Sequence, residues 1–254
     1  MNQEERLMKI FDYLEINKTM NIKQMCGMFN VSRDTARRDI VKLSQHKEII
    51  RIYGGISLSS YHKKLGAYQE RIHMESEAKQ SIGTAAAGLV NDNDMIFLDS
   101  STTVSVVAQY LKAKNITVVT NSIDIAYTLA QSKDTNVHLL GGSLNKVSRH
   151  ISGYSTIEQI KNFFFDKVFI GAGGIMPDGI YYVYEEDIYF KRELIKYANQ
   201  VILVADHTKY NQRQSYKVLN YQSIDTFITN QIIPKELLDQ LDENGVEVIS
   251  ITKG

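Results

Sequence analysis

Cysteine is almost missing from this chain. Cys26 is the only one among 254 residues, which excludes an intrachain disulfide and any cysteine-based zinc site. Its simplest role is that of a small buried hydrophobe. No apolar run is long enough to cross a bilayer, so no membrane partner is expected. The opening residues, M-N-Q-E-E-R-L, have neither the apolar core nor the cleavage site of a signal peptide, and a cytoplasmic location is the expectation. The six histidines are scattered, with no pair at ligand spacing on one helix face, so neither a metal nor a cofactor is expected. The net charge of +0 argues against a nonspecific polycation.

The chain has the composition of a globular protein, and its length suits one large domain or two smaller ones. Charge is unevenly spread. Met1 to Gly55 holds ten Lys/Arg against seven Asp/Glu, whereas the remainder holds 19 against 22. A slightly basic head on a slightly acidic body suits a nucleic-acid module joined to something else.

The head centres on V-S-R-D-T-A-R-R-D-I-V-K-L-S-Q-H, Val31 to His46. Ser32 is a good N-cap for the N–H of Thr35. A helix of about four turns follows, with Ala36, Ile40 and Leu43 as its narrow apolar stripe. Arg38, Asp34, Thr35 and Lys42 fall on the opposite side, flanked by Arg33 and Arg37. Forked guanidinium donors beside a hydroxyl are what a helix entering the major groove needs. Arg pairs with guanine edges, and Thr contacts a phosphate or a thymine methyl.

Two helices precede this one. Leu7, Ile10, Phe11 and Leu14 give the first. Asn21 caps the second with Gln24 at its N3 position, and Ile22, Met25, Cys26 and Phe29 form the buried face. This is the helix-turn-helix layout. Ile49 to Tyr53 reads as a strand and Gly54-Gly55 as a turn, so a β-hairpin wing would bring Arg51 and Tyr53 near the phosphate backbone or minor groove.

These residues carry a specific resemblance. Arg6, Ile10 and Leu14, then Val31 to Ile40, then R-I-Y-G-G (Arg51 to Gly55) resemble the DeoR family of bacterial transcriptional regulators. Ala36 and Tyr53 stand where Ile or Val and His are commoner. The resemblance implies a winged helix-turn-helix domain over 1–58, a linker over 59–70 and an α/β effector-binding domain over 71–254. It implies Ser32, Arg33, Thr35, Arg37, Arg38, Lys42, Arg51 and Tyr53 at operator DNA. Arg71 and Lys79 occupy habitual basic positions of that family, and both read as structural ion-pair residues.

In the body, strand, polar turn and helix alternate. Short apolar runs such as M-I-F-L (Met95 to Leu98), I-T-V-V, V-H-L-L, K-V-F-I, V-I-L-V and T-F-I-T read as strands of a mostly parallel sheet with helices on both faces. Helices are expected over Ala78 to Val90 and around Thr156 to Phe165. Ligands bind beyond the C-terminal ends of such strands, where the polar clusters lie. Asp99-Ser100-Ser101-Thr102-Thr103 gathers hydroxyls and backbone N–H groups at a helix start, which favours an anion. A plain N-cap is the competing reading.

The family's effector domain is similar in fold to ribose-5-phosphate isomerase, and its first loop usually reads D-S-G-T-T. Ser101 replaces the Gly, and its Cβ could hinder approach to phosphate. The same resemblance implies effector contacts from Asn121, Gly142, Gly173, Gly174, Glu186, Lys191, Asp206 and Lys209. Small residues there would let a ligand lie against the backbone. Tyr181, Tyr182 and Tyr184 either shape the pocket or simply pack. The expected function is a repressor of sugar uptake or catabolism genes, binding double-stranded operator DNA as a homo-oligomer under control of a phosphorylated sugar. The alternative is a sugar-phosphate isomerase carrying a DNA-binding head, with Asp99, Glu186 or Asp206 as base. Against it, G-A-G-G stands where isomerases have an acidic stretch, so the protein is expected not to be an enzyme.

Overall fold

The computed structural model describes residues 3–17, 19–46, 48–52, 55–58, 68–74 and 76–251. The chain divides into two compact units, Met1–Ala67 and Tyr68–Gly254.

In the first unit α1 (Gln3–Asn17) leads through β1 (Thr19–Asn21) into α2 (Ile22–Phe29) and α3 (Arg33–Leu43). Asn21 caps α2 in a reciprocal capping box. Its side chain accepts from Gln24 N, and Gln24 Oε1 accepts from Asn21 N, both at 2.8 Å. Asn30 closes α2 in the left-handed region, and Ser32 Oγ caps α3 by accepting from Thr35 N at 3.2 Å. Helix α3 ends after three turns, a turn short of the expected four. Ser44 donates through both N and Oγ to Ile40 O, and Gln45 N and His46 N close tight three-residue turns. Strands β2 (Ile49–Ile52) and β3 (Gly55–Leu58) pair antiparallel, with β1 on the other side of β3. This is the winged helix-turn-helix arrangement. Ile10, Leu14, Met25, Ala36, Ile40, Leu43 and Ile56 fill its core.

The second unit opens with α4 (Tyr68–His73) and α5 (Ser76–Ala87), then β4 (Met95–Leu98), α6 (Thr102–Tyr110), β5 (Ile116–Thr120), α7 (Ile123–Leu129) and β6 (Thr135–Leu139). A hairpin of β7 (Ser143–Asn145) and β8 (His150–Ser152) precedes α8 (Tyr154–Ile160) and β9 (Phe165–Ile170). Then come β10 (Gly174–Met176), β11 (Gly179–Tyr182), α9 (Glu186–Leu194), β12 (Ala198–Val204), β13 (Tyr216–Leu219), β14 (Thr226–Thr229), α10 (Lys235–Glu243) and β15 (Glu247–Ser250).

Seven strands form one parallel sheet in the order β15-β14-β12-β9-β4-β5-β6. Side chains alternate between two buried layers. Phe97, Val119 and Val168 join one, and Ile96, Leu98, Val118 and Phe169 the other. The strands are continuously apolar because both faces are covered. The chain starts at β4, runs out to β6, and returns to β9 on the other side of β4. The β4–β9 junction is therefore the topological switch point, where a crevice opens past the strand ends.

Helix α8 is shorter than expected, since Phe165 already begins β9. The antiparallel sheet β10-β11-β13 and the β7–β8 hairpin are additions that the alternating pattern does not announce.

Candidate functional site

In the first unit, α3 exposes Arg33, Asp34, Arg37, Arg38, Val41 and Lys42. Arg33 and Arg38 have no ion-pair or hydrogen-bond partner among the described residues, so their guanidinium forks are free for another molecule. Arg37 meets only Asp34, at 3.5 Å on an open surface, which holds it weakly. Two expected contacts are engaged within the unit instead. Thr35 is half-buried, with its hydroxyl 3.0 Å from Ser32 Oγ, so it completes the cap. Lys42 Nζ donates to Gln3 Oε1 at 2.7 Å and leans toward α1. Arg51 is exposed on β2, and Tyr53 lies outside the described residues.

Beneath this face lies a pair that sequence spacing does not reveal. Arg6 grips the buried Asp39 with two bonds, Nε at 2.6 Å and an Nη at 3.1 Å, and Gln3 Nε2 donates to the same carboxylate at 2.9 Å. The hydrogen bond to Asp39 holds the Arg6 pKa above its ordinary value. This network fastens α1 across the back of α3 and fixes the angle at which the arginines project.

In the second unit, Asp99 leaves β4 at the switch point. Its N donates to Phe169 O, and Gly171 N faces its Oδ2 at 3.4 Å. Lys191, expected as a pocket lysine, is 2% exposed, with Nζ 2.6 Å from Asp99 Oδ1 and 3.7 Å from Asp187 Oδ1. Burial works to lower the Lys191 pKa, but the two carboxylates hold it above the ordinary value. Burial raises Asp187 to about 6 despite Lys191. The Tyr182 hydroxyl donates to Gly171 O at 2.6 Å, and its ring lies 5.0 Å from Lys191 Nζ, so this tyrosine packs the floor.

Ser101 has φ −74°, a conformation that needs no glycine, and its Oγ caps α6 by accepting from Val104 N at 3.1 Å. The N-cap reading of this loop therefore holds for Ser101. Thr102 and Thr103 are buried in the first turn of α6, and Ser100 is half-buried.

The expected glycine cradle is filled by the protein itself. A Cβ on Gly174 would come within 1.8 Å of Gln212 O, one on Gly173 within 2.9 Å of Tyr181 O, and one on Gly142 within 2.3 Å of Thr156 Oγ1. Their smallness is accounted for by packing. Asp206 is engaged with Thr208, accepting from its N at 2.9 Å and from its hydroxyl. Two of the three candidate bases, Asp99 and Asp206, are thus engaged within the fold.

Two further cations are half-buried. The side chains of Lys209, from the turn after β12, and of Arg71, on α4, have no ion pair or hydrogen bond among the described residues. The Arg71 guanidinium lies over the Tyr68 ring at 5.8 Å, and its buried Nε has no partner. Burial lowers the pKa of both groups, and the Arg71 guanidinium stays charged at neutral pH. The Asp206 carboxylate draws the Lys209 pKa back up and the Arg71 charge pushes it down, and Arg71 feels Asp99 and Asp187. Among the described residues Arg71 makes no structural ion pair of the kind expected of it. Lys79 does have a structural part, donating from Nζ to Arg71 O and, at 2.6 Å, to Met74 O.

A cleft of about 580 Å³ opens along β8, α8 and α9, with Asn121, His150, Glu186, Asp187, Ile157 and Tyr189 among its walls. Asn121 Nδ2 donates to Ile151 O at 3.2 Å, and its buried Oδ1 has no partner. Burial pushes His150 down to about 4, so its imidazole is neutral at pH 7. The strand ends thus bring together a compensated buried pair, two cations without a direct ion pair among the described residues, and a helix N-terminus. Asn121 and Glu186 line the adjoining cleft.

The sequence pattern of a DeoR-like helix-turn-helix domain matches residues 6–61, and that of the DeoR C-terminal sensor domain matches residues 74–231. This chain belongs to the DeoR family. The HTH-type transcriptional repressor GlcR of Bacillus subtilis is 42% identical over 98% of this chain and 96% of its own length. The HTH-type transcriptional repressor CsqR of Escherichia coli is 30% identical over 91% and 88%. Among solved structures, ribose 5-phosphate isomerase A from Neisseria gonorrhoeae is similar over 55% of this chain and 56% of its own, at 16% identity and a TM-score of 0.40. As a DeoR-family member the chain is a DNA-binding transcriptional regulator with a sensor domain, and not an enzyme. No helix among the described residues is long and apolar enough to cross a membrane.

Proposed function

We propose that this DeoR-family regulator is a repressor of sugar-related genes whose grip on its operator is set by a phosphorylated sugar bound beyond the strand ends of residues 68–254. On the DNA side, Arg33, Arg37 and Arg38 meet base edges and phosphates in the major groove, and Arg51 on the wing meets the backbone. Ser32 and Thr35 present the start of α3. Two copies of the chain act together, because paired winged heads reach two half-sites about one helical turn apart.

The observation that carries the effector reading is the pairing of Arg71 with Lys209. Two cations without a direct ion pair among the described residues are costly to hold partly buried, and an anion is what relieves that cost. They lie at the edge of the sheet where the N-terminus of α6 adds its own positive potential. Asn121 and Glu186, on the adjoining cleft, supply the acceptors and donors that sugar hydroxyls need. A ligand shifts the DNA equilibrium only by binding the two states unequally, and a coupling of about 1–3 kcal/mol per site is the ordinary range.

A thermal-shift panel on the full chain tests this reading. It pairs phosphorylated hexoses, pentoses and polyols with their unphosphorylated forms. At least one phosphorylated compound raises the Tm, and its parent sugar does not. Equal shifts with and without the phosphate, or none from any member, would reject an anion-led effector site.

A further inference from the structure

Val41 is the one apolar residue among the six exposed positions of α3, and half of its surface is open. Among the described residues nothing in the head covers that open half, and the buried stripe of the helix (Ala36, Ile40, Leu43) is complete without it. It lies on the same side as the free cations. Asp34, Arg37, Arg38 and Val41 stand at i, i+3, i+4 and i+7 and form one row along the outward face. That spacing is the one a helix lying in the major groove uses to reach base edges. From Asp34 to Val41 the helix rises about 10 Å, or roughly three base-pair steps.

The chemistry of the row is divided. Arg37 and Arg38 donate to acceptors such as guanine O6 and N7, and Asp34 accepts from a cytosine amino group. Val41 has neither donor nor acceptor. The apolar group in the major groove of B-DNA is the 5-methyl of thymine. We propose that Val41 reads a thymine methyl, placing a required T in each half-site about three base pairs from the position that Asp34 reaches. This inference rests on the assignment of α3 as the DNA-facing helix.

Selection from random duplexes with the full chain supplies the operator, and each thymine of that operator is then replaced singly by uracil. The swap removes one methyl and leaves every hydrogen-bonding group in place. For the wild-type chain, one thymine per half-site loses affinity by about fourfold on replacement, the worth of one methyl leaving water. V41A, a change on an open surface that leaves the head core intact, binds uracil and thymine at that position alike. The proposal is overturned if no thymine is sensitive, if the selected sites contain none, or if V41A keeps the full sensitivity. If selection returns no shared sequence at all, the assignment of α3 falls as well, which separates that failure from a failure of Val41 alone.

Discussion

Lys191 and Asp99 stand 92 positions apart in the chain and 2.6 Å apart at the junction of β4 and α9, with both side chains almost fully buried. Removing one member of such a pair strands the other charge in a low-dielectric interior. K191M is expected to destabilise the second unit by about 3–5 kcal/mol in urea unfolding. The double variant D99N/K191M recovers part of that loss, because Asp99 no longer carries a charge and only Asp187, 3.7 Å from Lys191 in the wild type, loses its cation. If K191M alone proves as stable as the wild type, the pair does not hold the strand ends together.

Ser101 and Gly171 give a second prediction. A Cβ on Gly171 would come within 2.3 Å of both Ser101 Cβ and Oγ, so the two loops interlock through the absence of one methyl. G171A is expected to cost about 1–3 kcal/mol by overpacking. S101A costs about 1 kcal/mol for the lost cap, and S101G only a few tenths. In G171A/S101G the strain of the first change is relieved, and thermal denaturation of the four proteins measures that coupling.

The buried His150 and the half-buried Asp187 predict opposite dependences on pH. His150 titrates near 4 in the fold against an ordinary value of 6.5, because burial and then Lys191 disfavour its charged form. The unfolded chain binds that proton first. The His150 contribution is therefore complete above pH 6.5 and is lost as pH falls toward 4, on the order of 3 kcal/mol in all. Asp187, raised to about 6 by burial, contributes in the opposite sense. Its share is complete below the ordinary carboxylate range and fades as pH rises through 6. In the wild type the two partly cancel between pH 4 and 6. Unfolding free energies across that range should fall more steeply on acidification in D187N than in the wild type, and less steeply in H150Q. Parallel curves for all three proteins would contradict these environments.

In the first unit, R6M is expected to cost about 3–5 kcal/mol by stranding the buried Asp39. It should also weaken operator binding, since α3 loses its anchor to α1. R38A leaves unfolding unchanged within about 0.5 kcal/mol and weakens specific DNA binding by about 1–3 kcal/mol if Arg38 meets a base edge. A loss equal for all sequences, with a shallower salt slope, assigns Arg38 to phosphate instead.

Local chemistry was legible in the sequence, and distant pairing was not. The Ser32 cap, the Asn21–Gln24 capping box and the M-I-F-L strand follow from propensity and period over a few residues, and the structure has each of them. Arg6 with Asp39 and Lys191 with Asp99 depend on elements brought together by the whole fold, and no spacing rule connects positions 33 or 92 apart. Arg71 escaped for a related reason. A basic residue on a short helix has the same appearance whether a carboxylate meets it or not, and only the packed structure shows that none does among the described residues. The strands β10, β11 and β13 run three or four residues each, too short for a period to emerge.

The most direct test is one anisotropy titration of labelled operator with full-length wild type and K209A, each with and without the phosphorylated compound that raises the wild-type Tm. Wild-type affinity changes by about 5- to 150-fold on adding the compound. K209A binds the bare operator as the wild type does and responds little or not at all. If K209A responds as fully as the wild type, or if neither protein prefers operator to random duplex, the account is contradicted.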